Sequence, residues 1–142
     1  MTLAWSYTSQ MSDVRTFNPD PKGTLDERQI KCIRKGASNL EVDDFGFNDS
    51  EKVLLMEVML IGGDAWETHA KTALVTEVIE WIRFFTLLEK RVSGFETGPK
   101  SPVISLARAL RKRGEYPDDL TAWIKGNTDN RFLPHGSLMD RL

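Results

Sequence analysis

The clearest pattern of apolar and polar positions lies between residues 65 and 92. Apolar side chains recur there at alternating steps of four and three, at Leu74, Val78, Trp81, Phe85, Leu88 and Val92. Steps of this size place side chains on one face of a helix. A second stripe of Val75, Ile79 and Ile82 adjoins the first, so the pattern predicts a long central helix covered on two sides. A helix over 65–92 would be roughly 42 Å long, which makes a kink or break the alternative.

Three capping-box patterns, each a hydroxyl, amide or carboxyl side chain followed three residues later by Glu, predict the starts of helices. They are Thr24 with Glu27, Asn48 with Glu51, and Asp64 with Glu67. The first predicts a helix over about 25–36. The second precedes the apolar run 53–61, whose Leu and Met residues favour a helix over a buried strand. Between these two helices we predict a loop over 38–49, with Phe45 and Phe47 turned inward.

Two further helices are predicted on the C-terminal side. Ser101-Pro102 supplies a capping hydroxyl and a proline suited to the first helical position, and Gly114 ends the helix that follows. Pro117-Asp118-Asp119 opens a short last helix, because acidic residues stabilise the positive end of a helix. Gly126 ends this helix.

One segment of the predicted helix after Ser101 looks like part of a known protein. The run Val103–Leu110, ending at Gly114, looks like a helix in the small helical subunit of bacterial CRISPR surveillance complexes. The resemblance covers about a dozen of the 142 residues, and these residues are common in helices. It therefore identifies no family.

Taken together, these elements predict an all-α fold, a single compact bundle of five or six helices around a long central helix. We divide the chain into an irregular N-terminal arm over 1–23, a helical domain over 24–126, and a C-terminal tail over 127–142 docked on the domain. The chain has 142 residues, of which 40% are hydrophobic and 28% charged, and this composition is typical of one globular domain.

The sequence predicts a cytoplasmic protein that does not enter the membrane. Cys32 is the single cysteine, so no disulfide can form within the chain. The N-terminus lacks the basic stretch and apolar run of a secretory signal. The longest apolar run, 53–61, is interrupted by Glu57, whereas a membrane span needs about 20 apolar residues.

Charge is unevenly distributed and suggests one candidate surface for nucleic acid. The net charge is −2, and the basic side chains concentrate in the C-terminal half, with a cluster at Arg108, Arg111, Lys112 and Arg113. Guanidinium groups suit phosphates. Cations are also common in the last turn of a helix, where they offset its negative end, so this simpler interpretation competes with the first.

Candidate chemistry beyond this cluster is sparse. The cysteine and histidines are widely separated and show no zinc-binding spacing, so we predict no metal site and no cofactor. Glu57 and Glu80 interrupt apolar stretches, and with His69 they are the candidates for acid–base catalysis.

Gly62-Gly63 precedes a helix start and could cradle an anion, but Asp64 would lie where the anion binds. We therefore interpret the glycine pair as a helix stop.

The balance favours a non-enzymatic module that binds another protein, of the inhibitor, immunity or assembly-subunit type. Exposed aromatic and apolar residues of the two terminal segments are the predicted anchors, namely Trp5, Tyr7, Phe132, Leu133 and Leu138. Self-association through the second stripe of the central helix is one alternative, and it would give a homodimer. A nucleic-acid-binding subunit using residues 108–113 is the second alternative, and an enzyme is the third.

Overall fold

The computed structural model describes residues 25–136, and this part of the chain is all-α. It contains six α-helices and one 3₁₀ turn. Their bounds are α1 Glu27–Ala37, α2 Asp49–Val58, α3 Gly63–Thr72, α4 Val75–Arg91, the turn Gly98–Lys100, α5 Pro102–Arg113 and α6 Leu120–Gly126. Helix α4 lies at the centre between α1 and α5, α2 packs on the outer side of α1, and α3 packs on α5. The predicted helical bundle is therefore confirmed.

Capping side chains determine where the first two helices begin. Asp26, rather than Thr24, is the N-cap of α1, and its carboxylate accepts a hydrogen bond from the amide of Gln29 at 2.9 Å. Gln29 in turn accepts from the amide of Asp26, which completes a capping box. Helix α2 has the predicted capping box. The side chain of Asn48 accepts from the amide of Glu51, and the carboxylate of Glu51 accepts from the amide of Asn48. These bonds satisfy amides that have no partner within the helix.

The prediction of one continuous helix over 65–92 is wrong. Helix α3 ends at Thr72, α4 begins at Val75, and Leu74 between them is extended and 75% exposed. No glycine or proline causes the break. Instead, α3 packs against α5 while α4 also packs against α1, and a single straight helix could not make both sets of contacts. Asp64 does not cap α3 either, because the N-cap is Gly62 and no side chain bonds to it.

The core is built around the aromatic residues of α4 and the segments that cover it. Phe84 is fully buried and meets Phe45 edge-on, with ring centroids 5.1 Å apart. Phe45 and Phe47 of the loop after α1 are both buried, as the sequence predicted. Gly36 of α1 lies so close to these rings that a Cβ there would be 2.7 Å from Cζ of Phe47. The glycine thus permits the close approach of α1 to α4.

The last described residues complete one side of the core. Ser101 caps α5 by accepting from the amide of Val103, and Gly114 ends the helix in a left-handed conformation, both as predicted. The segment after α6 carries Leu133, which is 2% exposed and belongs to the core. Leu133 therefore packs the segment after α6 against the helices. The predicted arm over 1–23 and the residues after 136 lie outside the described part of the chain.

Candidate functional site

The most exposed apolar surface of the described chain lies on α2 and the turn that follows it. Val53, Met56 and Leu60 are 59%, 53% and 86% exposed. Their spacing of three and four residues places them along one line on the helix surface. We call these three residues the α2 face. Helix α2 packs mainly against α1 through Leu55 and Val58, so the α2 face is directed away from the core.

Acidic residues predominate around the α2 face. Asp49 lies at its N-terminal end, Glu57 along one edge, and Asp64 beyond its C-terminal end, and all three are exposed. Lys52 lies toward the opposite edge. Along α2 itself two of these carboxylates and the ammonium group give a net negative charge, whereas Lys100 and Arg108 line a groove beside Leu60. A ligand with an apolar stripe and basic flanks would therefore match both the surface and its rim.

The predicted anchors in the terminal segments are not brought together in the described structure. Trp5, Tyr7 and Leu138 lie outside the described residues. Leu133 is buried in the core, and Phe132 is half-buried beneath the guanidinium of Arg131, which lies 5.1 Å from the ring centroid. Leu133 and Phe132 thus attach the tail to the domain.

The predicted basic cluster is engaged by neighbouring groups of the chain. Arg108 and Lys112 both contact the carboxylate of Glu67 on α3, at 3.3 and 3.1 Å. Arg113 donates two hydrogen bonds of 2.8 Å to carbonyl oxygens at the C-terminal end of α3 and contacts Glu115. Arg111 lies over the ring of Tyr116, 5.7 Å from its centroid. These contacts attach α5 to α3 and to the turn after α5, and they leave Lys112 the most exposed of the three cations that form ion pairs.

His69 is held in a polar cluster that the sequence did not reveal. Its Nε2 lies 3.2 Å from Oε2 of Glu77, and Oε1 of the same carboxylate accepts from Nε of Arg34 at 2.8 Å. The imidazole is stacked on Trp81, with centroids 4.4 Å apart. Burial raises the pKa of Glu77, but hydrogen bonds from Arg34 and His69 outweigh it and hold the pKa below its ordinary value. In residues 25–136 no hydroxyl or thiol bonds to His69, so the cluster lacks a nucleophile.

The break between α3 and α4 explains why this cluster was missed. In a continuous helix, His69 and Glu77 would be separated by eight residues, or roughly 12 Å along the axis. The chain reverses at Ala73-Leu74, and this reversal brings the two side chains into contact. The length of the predicted helix made a break the alternative, but the sequence did not show where the break lies, because its position depends on packing against α5 and α1.

The two carboxylates that the sequence singled out are exposed, and a third is buried. Glu57 and Glu80 both face solvent, whereas Glu89 on α4 is only 5% exposed. Glu89 accepts hydrogen bonds from the hydroxyl of Ser101 and from the amide and hydroxyl of Thr97. It therefore attaches the segment between α4 and α5 to the core.

Burial raises the pKa of Glu89 above its ordinary value, although these hydrogen bonds act in the opposite direction. The position follows the stripe residue Phe85 by four, and this spacing is the signal that could have identified Glu89 as buried.

Other classes of site find no support among residues 25–136. No group of three His, Cys, Asp or Glu side chains could hold a metal ion there. Cys32 is buried, and burial, with a smaller contribution from Glu51, raises the pKa of its thiol to about 11, which leaves it a poor nucleophile. None of the helices in the described part is both long enough and apolar enough to cross a membrane.

No protein-family model, curated protein or solved structure matches the chain. Function is therefore inferred from the surfaces and pockets of the fold.

Proposed function

We propose that this protein is a non-enzymatic helical module that binds another protein through the α2 face. The observation that supports the proposal is the alignment of three exposed apolar side chains, two on α2 and one on the turn that follows it. Single exposed apolar residues are common on protein surfaces, but a contiguous group is typical of interaction sites. Val53, Met56 and Leu60 form such a group, whereas Val42 and Leu74, the other large exposed apolar residues of the described chain, lie on other elements.

The occupant that we infer is an amphipathic helix with basic flanking residues, contributed by a different protein. Helices bind in this way by aligning apolar residues at spacings of three and four with an apolar surface. The carboxylates of Asp49 and Glu57 favour Lys or Arg on the part of the partner helix that lies along α2. Complementary charge of this kind accelerates association and selects against acidic partners.

A second copy of this chain fits the α2 face less well. The α2 face spans eight residues, which corresponds to roughly 10 Å at the helical advance of 1.5 Å per residue. A stable dimer interface usually buries about 800 Å² on each partner, which is more than a stripe of this length provides. A second copy on the same face would also bring its own carboxylates near Asp49, Glu57 and Asp64.

Nucleic-acid binding through residues 108–113 is the alternative that the sequence suggested, and the ion pairs weigh against it. A phosphate of the nucleic acid would have to share Arg108 and Lys112 with the carboxylate of Glu67, which offsets part of their positive charge. It would also compete with the carbonyl oxygens that hold Arg113. The alternative requires an affinity for nucleic acid that falls steeply with salt concentration and weakens in the variant Arg108→Gln.

The test is a comparative pull-down from cells of the natural host, with three forms of the protein as bait. The forms are the wild type, the double variant Val53→Asp/Met56→Asp, and the control Leu74→Asp. All three substitutions change exposed positions, so each is expected to alter the free energy of unfolding by about 0.5 kcal/mol or less.

The proposal predicts one protein that wild type and Leu74→Asp retain equally and that the double variant loses. Equal retention by all three forms would show that the α2 face is not the binding surface. A partner that disappears after nuclease treatment would favour the nucleic-acid alternative.

A further inference from the structure

An open groove lies where the N-terminal end of α3 meets α5 and the turn Gly98–Lys100. Its volume is about 680 Å³, within the range of roughly 300–1,000 Å³ that small-molecule sites occupy. Lys100 and Arg108 line it, and no carboxylate does. The groove therefore carries positive charge in a chain whose net charge is −2.

The N-terminal end of α3 presents unsatisfied amides to this groove. Gly62 and Gly63 both line it, and no side chain caps the helix at Gly62. The first amides of a helix have no acceptor within the helix, and their dipoles favour an anion. The side chain of Asp64 does not fill this position, because it lines the separate groove that contains Lys71 and Lys112.

Ser105 on α5 provides the second, independent sign of a ligand. It is only 8% exposed, and it lines the same groove. Its hydroxyl makes no hydrogen bond to any residue of the described range 25–136, although nearby Ser101 bonds both Glu89 and the amide of Val103. A Cβ on Gly63 would lie 2.8 Å from Oγ of Ser105, so the glycine allows the hydroxyl and the helix end to approach each other. The hydroxyl therefore has hydrogen-bonding capacity that a molecule in the groove can use.

Arg108 completes the set of donors. Its guanidinium contacts Glu67 through Nη1 alone, at 3.3 Å, so Nε and Nη2 remain available. Leu60, Ile61 and Ile104 also line the groove and give it apolar surface. Amides, a hydroxyl and a guanidinium thus belong to residues that line one groove, and these are donors that a tetrahedral anion can accept from.

We infer that this groove binds the phosphate group of a small phosphomonoester whose apolar body lies against Leu60, Ile61 and Ile104. The phosphate accepts hydrogen bonds from the amide of Gly63, the hydroxyl of Ser105 and the guanidinium of Arg108. This ligand site is additional to the proposed protein interface, with which it shares only Leu60.

Phenyl phosphate is the probe, because it combines a phosphomonoester with an apolar ring. Titration into the ¹⁵N-labelled protein is expected to shift the amide resonances of Gly62, Gly63 and Asp64 saturably, with a Kd below about 1 mM. Inorganic phosphate is expected to shift the same amides with at least about tenfold weaker affinity, since it lacks the apolar body. Phenol, which lacks the phosphate, should not shift them.

Variants identify the donors. Ser105→Ala and Arg108→Gln are each expected to weaken phenyl phosphate binding about tenfold, because each removes a hydrogen bond to a charged ligand. Ser93→Ala, which changes an exposed serine outside the groove, and Val53→Asp/Met56→Asp should retain wild-type affinity. Melting curves identify any variant that fails to fold. If Ser105→Ala fails to fold, Gly63→Ala supplies the second test, because its added methyl group lies against the hydroxyl of Ser105.

Three results would overturn the inference. These are the absence of saturable shifts at the amides of α3, unchanged affinity in Ser105→Ala, and equal affinity for inorganic phosphate and phenyl phosphate. Failure of this test leaves the protein interface standing, because the pull-down depends on Val53 and Met56, which do not line the groove.

Discussion

The close approach of α1 to α4 at Gly36 leads to a sharp prediction about stability. In Gly36→Ala the new Cβ would overlap Cε1 of Phe84 and lie 2.6 Å from its Cζ and 2.7 Å from Cζ of Phe47. Phe84 is fully buried, and its ring also packs on Phe45 and Phe85 at centroid distances of 5.1 and 5.0 Å. It therefore cannot rotate away without displacing other aromatic rings.

Two opposing effects determine the magnitude. Overpacking a core by one methyl group usually costs about 1–3 kcal/mol, and three contacts below 3.0 Å place this site toward the upper end. Alanine in place of glycine within a helix restores about 1 kcal/mol. We expect the free energy of unfolding to fall by about 1–2 kcal/mol. For a domain of this size the melting temperature should fall by roughly 3–8 °C.

Urea unfolding followed by circular dichroism measures this difference. Gly126→Ala is the matched control, because Gly126 is the last residue of α6, is exposed, and has no atom within 4 Å of a built Cβ. The control should be unchanged or up to about 1 kcal/mol more stable. If Gly36→Ala were as stable as Gly126→Ala, Gly36 would not lie in close contact with the rings of Phe84 and Phe47.

Three further predictions concern the groups whose surroundings are unusual. The buried thiol of Cys32, with a pKa of about 11, should react with a thiol reagent at pH 8 at a rate that rises sharply only as urea unfolds the protein. Arg113→Ala should lower the free energy of unfolding by about 2 kcal/mol, because it removes charged hydrogen bonds to the end of α3, whereas the control Lys112→Ala should change it by about 0.5 kcal/mol or less. As pH rises from about 4.5 through the raised pKa of Glu89, the wild type should lose free energy of unfolding relative to the variant Glu89→Gln.

The sign of the last prediction follows from proton binding. Burial makes the folded protein hold the Glu89 proton to a higher pH than the unfolded chain does, so deprotonation favours the unfolded chain. Melting temperatures at several pH values measure the effect, and a difference that did not vary with pH would refute it. Rapid modification of native Cys32 would contradict its burial. Equal stability of Arg113→Ala and Lys112→Ala would contradict the role of Arg113 at the end of α3.

Local signals in the sequence predicted several helix ends, because caps act within a few residues. Asn48 with Glu51, Ser101 with Pro102, and Gly114 have the predicted roles. The alternation of apolar positions also identified the interior of α4 correctly, since Val78, Trp81, Phe85 and Leu88 are all buried.

Features that depend on tertiary packing were beyond a single sequence. The reversal at Ala73-Leu74 has no local cause, and without it His69 and Glu77 could not be paired. The ion pairs of Arg108 and Lys112 with Glu67 likewise depend on how α3 packs against α5. The α2 face was missed for another reason. In an apolar run without polar alternation, periodicity does not show which side of the helix remains exposed.

Site-specific photo-crosslinking from the α2 face tests the central claim most directly. Benzoylphenylalanine would replace Leu60 in one form of the protein and Leu74 in a control form, since these are the two most exposed large apolar residues of the described chain. The account predicts a single product from position 60, absent from position 74, in which the crosslinked segment is an amphipathic helix rich in Lys and Arg. Crosslinks equally frequent from both positions, or a product consisting of two copies of this chain, would contradict it.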